Sequence, residues 1–512
     1  MPTHTPGTTR EEHQQAAVQA GPARGEGLQS APGEPLSTRQ LIVLVAGPLL
    51  TAVLLTLPAP EGMTPAAWRL VALASWMVVW WIGEAVPIPA TALLPIPLMP
   101  LLDIAPVTPV AANYGHPLIF LFLGGFLLAA AMQRWGLHRR IALNIVLVVG
   151  TGAGGLIAGF MAATAFLSMW ISNTAATIMM FAVGLSVIEF VAQKTPDRAM
   201  VRNFGVALML GIAYAASIGG VGTLIGSPPN ALLASYLQTS HNITVDFFTW
   251  MQIGMPVVLV MLPAAWLLLT RVIFPVRALR IGDAGEVIRS ELAALGRMSS
   301  GERAVAVVFV SAALGWILRE PLAAWSGLDI SDTTVALVAA LLLFAWPVSR
   351  RPGRFVLDWE STRDLPWGVL LLFGGGLALA HAFKETGLAE WIGLQVSGFD
   401  VGTWVLVFLV TAAIVYLTEI TSNTASTATF LPILGAVAVG LGLDPRLLAV
   451  PVALGASMAF MMPVATPPNA IVFSWEQLRL GDMIRAGFWL NIIAIAVIFA
   501  VMLLLAPRVF GV

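Results

Sequence analysis

From residue 38 onward the chain alternates long apolar runs with short polar or Gly/Pro-rich breaks. LIVLVAGPLLTAVLLTL (41–57), QIGMPVVLVMLPAAWLLLT (252–270) and AGFWLNIIAIAVIFAVMLLLAP (486–507) have the length that a hydrocarbon core demands of a helix. None shows the two-residue alternation of a barrel strand, so the pattern predicts membrane helices. Apolar segments fall near 41–57, 67–84, 86–103, 117–132, 143–165, 173–192 and 203–236. A second series follows near 252–274, 304–318, 333–347, 367–383, 401–419, 421–440, 447–464 and 486–506.

The second series repeats landmarks of the first. LFLGGFLLAAAMQRWGL (121–137) returns as LFGGGLALAHAFKETGL (372–388), SNT at 172–174 returns at 422–424, and GSPPN (226–230) returns as ATPPN (465–469). Three landmarks in one order, roughly 240–250 residues apart, mean internal duplication. Matched Gly/Pro interruptions in the two halves are the pattern of secondary transporters, whose sites lie near mid-membrane between repeats.

Composition narrows the picture. Hydrophobic residues are 58% of the 512 and charged residues only 10%, which defines a multi-pass integral membrane protein. Residues 1–37 are rich in Pro, Gly and Gln, lack the apolar core of a cleaved signal, and read as a disordered polar tail. A net charge of −1 argues against a nucleic-acid partner, and zero cysteines exclude disulfides and thiol chemistry. Arginines cluster in 271–303 (Arg271, Arg277, Arg280, Arg289, Arg297, Arg303), at Arg350, Arg351 and Arg354, and in QRWGLHRR (133–140), which makes these loops candidates for the cytoplasmic side.

The chemistry lies in the duplicated breaks. Pro-Pro inside an apolar run removes backbone donors and unwinds the helix, leaving carbonyls and N–H groups that need partners. The SNT clusters read as tips of helical hairpins. Ser168 and Ser172, and likewise Thr418 and Ser422, stand four residues apart and are expected to aim hydroxyls at one spot. Hydroxyl, amide and carbonyl oxygens suit a hard cation, and Asn173 and Asn423 add amide oxygens while their amide nitrogens can donate to an anion. No Lys or Arg occurs in 141–193, 203–270 or 385–445. A dianion buried there would lack a basic clamp, so one bound cation at each tip is expected to supply the missing charge.

Other polar residues have structural readings. Isolated Ser and Thr in membrane helices usually serve helix packing; their duplicated arrangement points to ligands instead. Glu84 and Glu419 are functional candidates as intramembrane carboxylates, with bonding to backbone near a helix break as the equal alternative. His116 and His381 read as packing residues, Gly124–Gly125 and Gly374–Gly376 as close helix contacts, and the 17 Trp, including Trp80 and Trp81, as interfacial anchors.

With SNTAATIMM, TEITSNTAS, GSPPN, ATPPN, GEAVPIPATALLP (83–95) and FLFLGGFLLAAAMQRWGLHRRIAL (120–143) in view, the chain resembles the divalent anion/sodium symporter family, which includes sodium-dependent di- and tricarboxylate transporters. The resemblance implies an all-α polytopic fold of two inverted-repeat halves, each with a re-entrant hairpin and an interrupted helix. It also implies a homodimer in the cytoplasmic membrane, working by an elevator-like motion of a transport domain against a scaffold. Scaffold helices would occupy 38–138 and 250–384, the latter with the basic loop 271–303. Transport regions would occupy 139–249 and 385–512. Two or more sodium ions are implied, the first at Ser168, Ser172, Asn173 and Gly226, the second at Thr418, Ser422, Asn423 and Ala465. The carboxylate substrate would meet Asn173, Thr174, Ser227, Pro228, Asn423, Thr424, Thr466 and Pro467.

Sodium-coupled symport of a C4-dicarboxylate such as succinate, malate or fumarate is the leading expectation, with cation-independent exchange and citrate or sulfate transport as alternatives. A channel would need a continuous pore. An enzyme would need a nucleophile with its base or a metal site, and the six His, at 4, 13, 116, 138, 241 and 381, form no such spacing.

Overall fold

The computed structural model describes residues 38–150, 152–276, 279, 285–350, 353–398 and 402–511. The polar segment 1–37 lies outside them, as do Arg277, Arg280 and Arg351. Among the described residues ten helices are long and apolar enough to cross a membrane, from Thr38–Thr56 to Leu480–Phe510. Polar caps set many of the helix starts: Thr64 accepts from Ala67 N, Asp197 from Ala199 N and Met200 N, Asp246 from Thr249 N, and Ser299 with Glu302 forms a capping box.

Several apolar runs prove to be composite. The segment expected at 86–103 is two short helices, Ile88–Thr91 and Pro95–Leu101, entered through Pro87 and Pro95. The run 143–165 is divided at Gly150, whose φ of 143° is open mainly to glycine, into Leu137–Val149 and Ala153–Ser168. The stretch 271–303 is not simply a loop: it contains the end of a wide-wound turn, Leu268–Ile273, and the helix Gly285–Ala294. A small antiparallel hairpin, Pro347–Arg350 with Gly353–Phe355, departs from the purely helical expectation, with Arg350 opposite Gly353.

The glycine pairs serve close approach, as the sequence suggests. A side chain on Gly124 would meet Ala336 backbone at 2.8 Å, one on Gly374 would meet the Tyr114 ring, and one on Gly375 would meet Ala92 O at 2.4 Å. Trp81 corrects the interfacial reading. It is fully buried, because its indole N–H finds an internal acceptor in Ile88 O at 3.3 Å. Trp80 sits edge-on to Trp76 and donates to Leu44 O.

Each half carries one helix–turn–helix tip and one interrupted helix. Ala153–Ser168 and Asn173–Lys194 flank the first SNT; Thr403–Leu417 and Asn423–Gly440 flank the second. The interrupted helices are Arg198–Gly220 with Pro228–His241, and Arg446–Ala456 with Pro467–Phe473. Packing is crossed: Asn173–Lys194 lies against Pro467–Phe473, and Asn423–Gly440 lies against Pro228–His241. The two polar breaks thereby come together in the interior.

Candidate functional site

At the first tip the helix stops at Ser168, whose buried hydroxyl faces both Asn173 Oδ1 and Ala216 O, the latter at 2.6 Å. A serine hydroxyl carries one proton and cannot donate to two acceptors at once. Three oxygens therefore converge with one hydrogen among them, an arrangement that favours an added positive charge. Gly220 and Gly226 complete the cradle. A side chain on Gly220 would lie 2.8 Å from Asn173 Oδ1 and 3.1 Å from Gly226 O, and one on Gly226 would lie 2.6 Å from Gly220 O and 3.0 Å from Ser168 O.

The second tip repeats this plan. Thr418 Oγ1, fully buried, lies 2.7 Å from Asn423 Oδ1 and 2.9 Å from Ala456 O, again two acceptors for one hydroxyl proton. The Pro-Pro-Asn asparagines act as clasps on the breaks. Asn230 Nδ2 donates to Gly220 O and Thr223 O; Asn469 Nδ2 donates to Ala459 O and Met462 O. Each clasp leaves its Oδ1 buried without a hydrogen-bond partner among the described residues. Ser227 Oγ and Ser457 Oγ approach to 3.4 Å, joining the two halves where the breaks meet.

Of the residues singled out in the sequence, Ser168, Asn173 and Gly226 gather at the first cradle and Thr418 and Asn423 at the second. Ser172 does not join Ser168 as the four-residue spacing suggested. The helix ends at Ser168, so the spacing is not a helical turn, and the Ser172 hydroxyl instead caps the next helix by accepting from Ala175 N at 3.2 Å. Thr177 and Thr427 hydroxyls both donate to the carbonyl of the SNT asparagine, at 2.8 Å in each half. Thr466 caps the helix Pro467–Phe473, accepting from Asn469 N at 3.3 Å; Ala465, Thr424 and Ser227 are buried beside these breaks.

Glu419 has the second of its two readings. Its carboxylate accepts from Phe460 N at 2.6 Å, from Met461 N at 3.0 and 2.9 Å, from Met462 N at 3.1 Å and from Asn491 Nδ2 at 2.7 Å. Those N–H groups belong to the unwound stretch after Ala456, so a single side chain satisfies the break. The first half has Met169 at the matching place, and its break is instead tied by Thr223 Oγ1 to Met169 O at 2.5 Å and by Trp250 Nε1 to Val221 O at 2.8 Å. Glu84 caps the helix Pro65–Gly83 in a left-handed conformation, and His116 accepts from Leu118 N at the start of Pro117–Arg134.

Sequence reasoning did not find the carbonyls of Ala216 and Ala456, the Gly220 wall or the role of Asn230 and Asn469. Only the last pair left a signal, the repeated PPN. Among the described residues no Lys or Arg side chain hydrogen-bonds to the two cradles; the arginines pair elsewhere, as in Arg202–Asp482 and Arg446–Asp444. Four helices begin at the breaks, and their N-terminal N–H groups contribute partial positive charge.

A membrane-embedded, duplicated pair of helix breaks lined by small polar side chains and backbone oxygen defines a multi-pass transporter of the secondary type. Residues 38–510 match the family described as the sodium:sulfate symporter transmembrane region, and the chain belongs to that divalent anion/sodium symporter family. It is 42% identical to the sodium-dependent dicarboxylate transporter SdcS of Staphylococcus saprophyticus, over 92% of this chain and 92% of that protein. It is 41% identical to SdcS of Staphylococcus aureus strain MRSA252, over 94% of both. In fold it is similar to the Alcanivorax borkumensis YdaH transporter, with a TM-score of 0.55 at 15% identity, covering 91% of this chain and 96% of that one. The Neisseria gonorrhoeae protein MtrF gives 0.54 at 12% identity, covering 93% and 96%.

Proposed function

We propose that the protein is a secondary active transporter that carries a small dicarboxylate dianion together with sodium, C4 acids such as succinate, malate and fumarate being the substrate class. The carrying observation is the repeated cradle: two acceptors per hydroxyl proton at Ser168 and at Thr418, with no cationic side chain bonded nearby. One sodium ion in each cradle is held by Ser168, Asn173 and Gly226, with Ser172 beside them, and by Thr418, Ser422, Asn423 and Ala465. The dianion lies between, against Asn173, Thr174, Ser227, Pro228, Asn423, Thr424, Thr466 and Pro467. Each asparagine turns its oxygen to the ion and its amide N–H groups to the carboxylate. The names of the SdcS relatives support sodium and dicarboxylate.

Coupling follows from charge. Without the ions the dianion meets only helix N-termini and amides, so each sodium raises substrate affinity and the substrate raises sodium affinity by the same factor. The regions 139–249 and 385–512 then move as a transport unit against the helices of 38–138 and 250–384 in an elevator-like motion, within a homodimer of the cytoplasmic membrane. The family description names sulfate, which gives a competing substrate to test. Succinate uptake into proteoliposomes under separately imposed sodium, potassium and proton gradients, with sulfate and citrate as competitors, is the measurement. Uphill succinate uptake with sodium alone is expected; uptake driven equally by potassium or protons, or sulfate outcompeting succinate, overturns the reading.

A further inference from the structure

A cavity of about 410 Å³ lies away from the cradles, within the range of roughly 300–1,000 Å³ usual for ligand sites. It is enclosed by the C-terminal ends of Pro228–His241, Trp367–Glu385 and Asn423–Gly440 and by the helix Leu388–Val396. Two of these helices begin at the functional site, and the first residues on them to line the cavity, Tyr236 and Pro432, lie about 12 and 14 Å along them from the breaks, at 1.5 Å per residue. Two of the bounding helices, long and apolar enough to cross a membrane, end here, at Glu385 and Gly440, consistent with the depth where lipid headgroups begin.

Its walls are carbon: Ala380, Phe383, Leu394, Pro432, Ala436 and Val439. Its rim carries two opposite charges, Lys384 and Glu390, both exposed and neither in an ion pair among the described residues. Ser240 is also in the lining, with its hydroxyl buried away from the cavity space. A small dianion fits this lining poorly, since the walls are apolar and Glu390 repels it. A molecule with an apolar chain and a head of both signs fits each part.

We propose that this cavity binds a zwitterionic phospholipid of the phosphatidylethanolamine type, independently of the transport reading. One acyl chain fills the space beside Ala436 and Val439, the phosphate pairs with Lys384 and the ammonium with Glu390. The occupant bridges the far ends of both helices that hold the site.

The test is native mass spectrometry of the purified full chain, equilibrated in detergent with equimolar phosphatidylethanolamine and phosphatidylglycerol. The wild type is expected to retain the ethanolamine lipid about fivefold over the glycerol lipid. Ala436→Phe, which fills the cavity, is expected to lower retained ethanolamine lipid at least threefold, and Glu390→Lys, at the exposed rim, to reverse the preference. No preference in the wild type, unchanged retention in Ala436→Phe, or an unchanged lipid ratio in Glu390→Lys overturns the proposal. Since Glu390 is at the surface, its variant reads out the headgroup pairing even if Ala436→Phe fails to fold.

Discussion

Trp170 and Ile420 occupy matching positions in the two tips, and their surroundings are opposite. Trp170 stacks in an aromatic cluster, 6.0 Å from Phe247 and 4.8 Å from Phe309 between ring centroids, with Trp316 at 6.3 Å. Ile420 is 71% exposed. The first tip is docked on the helices Phe247–Leu267 and Ser300–Ile317, and the second offers its side chain outward.

Trp170→Ala should therefore lower thermal stability in detergent, at the scale of about 3 kcal/mol for a large aromatic lost from a packed cluster. Ile420→Ala should shift it by no more than about 0.5 kcal/mol. Equal melting shifts for the two variants would contradict the docking asymmetry.

Asn173→Ala and Asn423→Ala each remove an amide that the proposed site uses for ion and substrate together. Both apparent affinities, for sodium and for succinate, should fall about tenfold or more in each variant, at the roughly 1.4 kcal/mol scale of a charge-assisted hydrogen bond. Uptake curves in proteoliposomes at varied sodium and succinate give both numbers. A variant with unaltered succinate uptake removes that asparagine from the site.

The two cradles differ in how much room they leave. Gly226→Ala brings a methyl to 2.6 Å from Gly220 O, and backbone cannot move aside cheaply. Sodium-dependent uptake should drop at least tenfold while the protein still folds. Ala465, at the matching place in the second half, already carries a methyl, so Ala465→Gly should change uptake less than threefold.

Glu419→Ala leaves three backbone N–H groups of the second break without their acceptor, a cost of several kcal/mol at about 1–3 kcal/mol for each buried donor. Glu419→Gln keeps one oxygen but turns an NH₂ toward donors. Melting temperature and expression should rank wild type above Gln above Ala. If Glu419→Ala melts like wild type, the carboxylate is not what holds the break.

At the end of the span Val107–Arg134, Arg134 pairs at 2.5 Å with Asp358, which lies outside the spans, and that hydrogen bond, aided by Ser361, holds the Asp358 carboxyl down to about 2. The folded value lies below the unfolded one, so the pair's contribution is complete above roughly pH 4 and is lost as pH falls toward 2. Both groups are partly exposed, which keeps the contribution below about 1 kcal/mol. The melting difference between wild type and Arg134→Gln should be constant from neutral pH to about 4.5 and shrink below it.

Much of this was readable in the chain because membrane helices write their length and breaks directly into composition. The repeated SNT and PPN motifs led to the tips and interrupted helices, and Ser168, Asn173, Thr418 and Asn423 do meet in pairs. The four-residue spacing misplaces Ser172, because it holds only if a helix continues through Met169, where the chain already turns. Ala216 and Ala456 were invisible for a different reason: their contribution is a backbone carbonyl, which any residue supplies. Trp81 shows the limit of an interfacial prior, since one internal acceptor lets an indole be buried.

Glu419 has a consequence for the ancestry of the fold. Duplication made the halves alike, but only one now contains the acid that secures its own break, so they have ceased to be spare copies of each other. A hybrid built by grafting the first tip into the second position would bring Met169 to face three bare amides, and should fail to assemble even though every SNT letter is preserved.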